Sequence, residues 1–204
     1  MDKYNDREFS QSNLEPQTVA DHRLGMTFFL FFIIMIGTSF IPEKTVLTWI
    51  LINSIFTFIF LGILFFLWTN YKYDTVRYYS FQVYIMLMGI VFFAITPIFK
   101  LLFGTIYFWI LLFSTLAIII TSHFFKNRTA RSFVNKNHKL LVTILSVYMM
   151  ALIVIGIFLI GIMHINEAPE NAGVSILFYF ISFLFMVMAP MFLVRPDEVE
   201  KLKH

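Results

Sequence analysis

The chain contains no cysteine, which excludes disulfides, thiolate metal sites and cysteine nucleophiles. Charge is scarce as well. Asp, Glu, Lys and Arg make up 13% of the 204 residues, against about 25% in soluble domains. A water-facing surface needs those charges, and a body of this size has too little interior to hide the remainder. Glycine is limited to eight residues, so the close helix approach that small residues permit in membranes is available at few positions. Enzyme signatures are missing too: there is no G-x-S-x-G, no H-E-x-x-H and no phosphate loop. What is abundant is apolar surface. Hydrophobic residues reach 59%, phenylalanine alone accounts for 27 positions, and the mean hydropathy is +0.82. These side chains must face lipid, one another, or both.

A bilayer core about 30 Å thick needs roughly 20 apolar residues in a helix rising 1.5 Å per residue. Six stretches qualify, at about residues 24–41, 46–68, 81–99, 101–121, 140–163 and 174–194, and none contains Asp, Glu, Lys or Arg. The predicted fold class is therefore all-α: a polytopic membrane protein, a bundle of six transmembrane helices arranged as three hairpins. A polar leader (1–23) precedes the six-helix domain (24–194), and a charged tail (195–204) follows it. The leader mixes acids with its bases and is long for a signal peptide, so the first span is read as retained. Its Ser12 to Glu15 spacing matches a capping box, with Pro16 suited to a first turn.

Residues 81–121 are interrupted only by Lys100. One helix over that stretch would extend about 60 Å, twice the hydrocarbon thickness. Two crossings with a turn near Pro97, Lys100 and Gly104 fit better, since those residues favour a break. A re-entrant hairpin is the alternative.

Lysine and arginine in short loops mark the cytoplasmic side. With six spans, thirteen bases fall on one side and only Lys44 and Lys100 on the other. Both termini are accordingly expected in the cytoplasm of a cell-membrane protein.

No acid or base is expected deep in the membrane, which weakens proton-driven transport. Asn53, Ser54 and Thr57 share one face of the second span and form a polar intramembrane stripe that either lines a pathway or ties helices together. Gln82, Ser114, Thr115, Thr143, Ser146 and Ser182 are scattered elsewhere. Pro97 and Pro190 are read as end-of-helix prolines rather than as a broken-helix substrate site. Gly156 and Gly161 are five apart and so do not form a GxxxG face. His164 sits at the outer end of the fifth span, near Glu167 and Glu170, and Asp74 lies near Arg77; both groups read as ordinary loop charges.

The fourth loop (123–139) carries Lys126, Arg128, Arg131, Lys136 and Lys139 beside Phe124, Phe125 and Phe133. Bases beside a helix end attract anionic lipid headgroups, and a docking surface for a membrane-protein or toxin partner is the other reading.

The leader YNDREFSQSNLEPQTVADHRLG, the six Phe- and Ile-rich spans, and the short PEK and INEAPENAG outer loops together resemble small staphylococcal membrane proteins encoded beside the type VII (Ess) secretion genes. The likeness covers the whole chain in length, composition and layout. It implies an accessory or toxin-immunity role and brings no functional residues with it.

The expected function is that of a non-enzymatic integral membrane protein acting through protein–protein contacts, with no cofactor, metal or nucleic-acid partner. The alternative is a small transporter or channel for an uncharged or lipophilic solute. A membrane enzyme using His164 and Glu167 is a third reading.

Overall fold

The computed structural model describes residues 24–43, 45–134 and 171–195, together with 143, 146–148, 150, 154, 157 and 198. Among the described residues the regular structure is all-helical. The elements are α1 (Leu24–Ser39), α2 (Val46–Tyr71), α3 (Thr75–Leu102), α4 (Ile106–Phe124), α5 (Lys126–Val134) and α6 (Ala172–Met188). A 3₁₀ turn, η1 (Ala189–Leu193), follows α6 directly. Among the described residues, four stretches are long and apolar enough to cross a membrane: α2, α3, α4, and α6 with η1. The described part of α1 is shorter, at 16 residues. In the stretch 140–163, Thr143, Ser146, Val147, Tyr148, Met150, Val154 and Ile157 are helical. The leader 1–23, Lys44, Gly156 and Gly161 lie outside the described residues.

Several boundaries differ from those predicted, each for a local reason. The second loop is short, because α3 begins at Thr75 and only Lys72–Asp74 separate it from α2. Asp74 makes this possible by capping the helix: its side chain accepts from the Arg77 backbone N–H at 3.0 Å. At its other end α3 runs through Pro97 and Lys100 to Leu102, so neither residue breaks it. Pro97 is fully buried, and packing around it compensates for the one backbone bond it cannot make. The turn falls instead at Phe103–Thr105, where Gly104 has φ +84°, a conformation that side chains with a Cβ rarely adopt. Thr105 N–H closes it onto the Leu102 carbonyl at 3.0 Å.

The fourth loop is also partly helical. In α5 the side chains of Lys126, Thr129, Ala130 and Phe133 recur at intervals of three or four and form its inner face, with Ala130 buried and Arg128 and Arg131 exposed. Pro190 lies in η1 rather than late in a sixth α-helix, and tightens the last turn beyond Met188.

Helix α3 is the centre of the bundle and packs against α1, α2, α4, α6 and η1. It runs parallel to α1, since Gln82 meets Thr27 at one end and Lys100 meets Ser39 at the other. α2 lies antiparallel to both. One face of α3 joins the first core, where Phe31 and Phe93 meet edge-on at 5.8 Å with Phe60 beside them. The opposite face supplies Val91, Ile95 and Ile98 to a second core around Met186 of α6.

Candidate functional site

The face of α3 that meets α1 and α2 carries a seam of polar and small residues. Gln82, Gly89 and Thr96 stand seven residues apart and Lys100 follows four later, a spacing that keeps all four on one side of a helix. Gln82 Nε2 donates to Thr27 Oγ1 at 3.0 Å. Gly89 lets the Phe31 ring approach the backbone: a Cβ there would stand 2.6 Å from Phe31 Cζ. Thr96 Oγ1 donates to the Phe92 carbonyl at 3.0 Å and, more loosely, to Asn53 Oδ1 at 3.4 Å.

The seam converges on Ser39, the last residue of α1. Asn53 Nδ2 of α2 donates to Ser39 Oγ at 2.8 Å, and that hydroxyl donates onward to the Met35 carbonyl at 2.6 Å. The Lys100 ammonium donates to the Ser39 carbonyl at 2.9 Å, although Lys100 is only 7% exposed. The helix termini explain why a cation is held there. α1 and α3 are parallel, so both C-terminal ends, each carrying about half a negative charge, lie side by side. Lys100 sits in the last turn of one and caps the last carbonyl of the other. It is thus the counter-charge for two helix ends that would otherwise repel each other.

The predicted stripe is part of this seam. Asn53 is completely buried and Thr57 nearly so. The Thr57 hydroxyl donates back to the Asn53 carbonyl at 2.9 Å, and half-buried Ser54 meets Met35 Sδ at 3.3 Å. The scattered polar residues act in similar ways. Thr115 of α4 meets the Tyr179 hydroxyl of α6 at 3.3 Å. Ser114 and Ser182 bond back to carbonyls of their own helices.

A second group of contacts lies at the other end of the bundle. His123 Nδ1 is 2.7 Å from the Ile119 carbonyl, and Nε2 is 2.9 Å from the Tyr84 hydroxyl. Because a carbonyl only accepts, Nδ1 donates to it, and Nε2 is left to pair with the Tyr84 hydroxyl. The Arg77 guanidinium stacks on Phe81 at 4.2 Å and donates to the Leu193 carbonyl at 3.2 Å, fastening η1 to the start of α3. Asp74 is occupied as a helix cap, so Asp74 and Arg77 serve helix ends rather than forming a reactive pair. Of the predicted basic cluster, Lys126 is half-buried and Arg128 and Arg131 are exposed. Lys136, Lys139, His164, Glu167 and Glu170 lie outside the described residues. Among the described residues no group of His, Asp and Glu is placed to hold a metal ion.

Lys100 is not readily legible as a buried group in the sequence, because a lone charge between two apolar runs suggests a turn. The seven-residue recurrence of Gln82, Gly89 and Thr96 is the signal that could have found it, since it marks a continuing helix face through Lys100. Ser39 and the Tyr84–His123 pair carry no such signal, because their partners are remote in sequence. No family model, curated protein or solved structure matches this chain.

Proposed function

We propose that this chain is a multi-pass protein of the cell membrane, with six spans in three hairpins and both termini cytoplasmic, acting through protein–protein contacts rather than catalysis. The observation that supports this reading best is the use of the buried polar side chains. Asn53, Ser39, Thr96 and Lys100 tie α1, α2 and α3 to one another, and Thr115 ties α4 to α6. Such bonds build a stable bundle. The outward surface is left with bulky apolar side chains on α2 and α4, including Phe58, Phe65, Phe66 and Phe113, and these suit contacts with lipid or with other membrane helices.

The orientation rests on the thirteen bases assigned to one side. Reporter fusions within 126–139 and after residue 204 are expected to report the cytoplasm; an extracellular signal from 126–139 overturns the arrangement. The resemblance to membrane proteins encoded beside type VII secretion genes selects the baits for the functional test. Co-purification in mild detergent with a secretion component or a membrane-targeting toxin is the expected result, and failure to associate with any of them counts against the reading. The transporter alternative requires Asn53 to face a water-filled route. Solute flux in proteoliposomes that disappears in Asn53→Leu, with the fold intact by thermal melting, would favour it.

A further inference from the structure

The exposed surface of α4 does not stop at the helix end. Phe113, Leu116, Ile120 and Phe124 recur at intervals of three and four, and are 64%, 45%, 55% and 81% exposed. They form one apolar stripe running the length of the helix. Directly beyond it the chain turns at Phe125 into α5, whose inner face packs on η1 with Ala130 buried. The outer face is thereby fixed, and it presents Arg128 and Arg131 one helical turn apart. The Arg128 guanidinium lies 5.9 Å from the centre of the half-exposed Phe125 ring, so the bases begin where the apolar stripe ends. α5 holds three bases and no acid, and no carboxylate is paired with them among the described residues.

We propose that this junction is a binding site for an anionic phospholipid, with the acyl chains lying along the α4 stripe and the phosphate held by Arg128 and Arg131. The chemistry is complementary at both ends. Bulky apolar side chains suit hydrocarbon, while paired guanidiniums match phosphate oxygens through bidentate hydrogen bonds. A soluble acidic protein would be offered the same arginines, but it would leave Phe124 and the stripe below it unused. Continuity from apolar to basic over one turn is the pattern of an interfacial helix beside its span. This site shares Phe113 with the outward surface described above, and adds Arg128 and Arg131 to it.

The test is lipid titration of the detergent-purified full chain, read by native mass spectrometry, with phosphatidylglycerol and phosphatidylcholine at matched concentrations. Preferential binding of phosphatidylglycerol is expected, weakened about 25-fold in the double variant Arg128→Gln/Arg131→Gln, or roughly fivefold per arginine. Phe124→Ser should weaken it as well. Rising salt on the unmodified protein is a second reading that needs no variant: the preference must shrink as charge is screened. Equal binding of the two lipids overturns the proposal, as does a salt-independent preference. Competition by glycerol phosphate at the same concentration as the lipid overturns it too, because the stripe would then contribute nothing. So does an acidic peptide that binds at Arg128 and Arg131 more tightly than the lipid.

Discussion

Helices α3 and α4 are consecutive, joined by a three-residue turn, and both are long and apolar enough to cross a membrane. Yet 56% of the apolar stretch of α3 is buried inside the bundle, against 11% for α4. High hydropathy records only that a segment avoids water. Lipid tails are about as apolar as leucine, so nothing in overall hydrophobicity separates a lipid-facing helix from a protein-facing one. The difference lies in detail. α3 interposes Gln82, Gly89, Ala94 and Thr96 among its large side chains, which permits close approach and hydrogen bonds to α1 and α2. α4 presents Phe113, Leu116, Ile120 and Phe124 on one uninterrupted side.

Substitutions in the two helices should therefore differ in their effect on thermal melting in mild detergent. The largest loss is expected for Phe93→Ala. Its ring is fully buried among Phe31, Phe60 and Phe92, and truncating such a side chain costs about 3–5 kcal/mol. Gly89→Ala comes next, at about 1–3 kcal/mol, because the added methyl meets the Phe31 ring, itself fully buried against Phe60 and Phe93. A companion Phe31→Leu should recover part of that loss, and an unaltered melting point in Gly89→Ala would mean that α1 is not held against α3 as described. Asn53→Leu leaves the Ser39 hydroxyl and Thr96 without their shared partner, for a loss at the lower end of about 1–3 kcal/mol. The smallest effect is expected in α4, where exposed Phe113→Leu should stay within about 0.5 kcal/mol. A large loss there would show that the α4 stripe is covered by protein, and would remove the surface on which the lipid site depends.

Helical character was legible along the described chain, because apolar runs of this length leave the backbone no partners in lipid except its own. Their ends were less so. Asp74 is an ordinary N-cap residue, yet the expected loop extended past it, since hydropathy falls before the helix does. Lys100 was the opposite error. A charge reads as an interruption in a hydropathy profile, but a cation near a helix C-terminus is electrostatically welcome and need not end the helix. The polar stripe at Asn53, Ser54 and Thr57 was visible as a shared face, while its partners Ser39 and Thr96 were not.

Composition and periodicity are sufficient for the all-helical class and for the segments that avoid water, because both follow from local backbone bonding and the solvent each side chain tolerates. They also contain the alternation of apolar and basic segments from which an orientation is argued. The central place of α3, the ring of Phe31 against Gly89, and the capture of the Ser39 carbonyl by Lys100 depend on contacts between residues far apart in the chain. Pairwise packing and hydrogen bonding select those partners, and neither leaves a periodic mark in a single helix that identifies which neighbour it will meet.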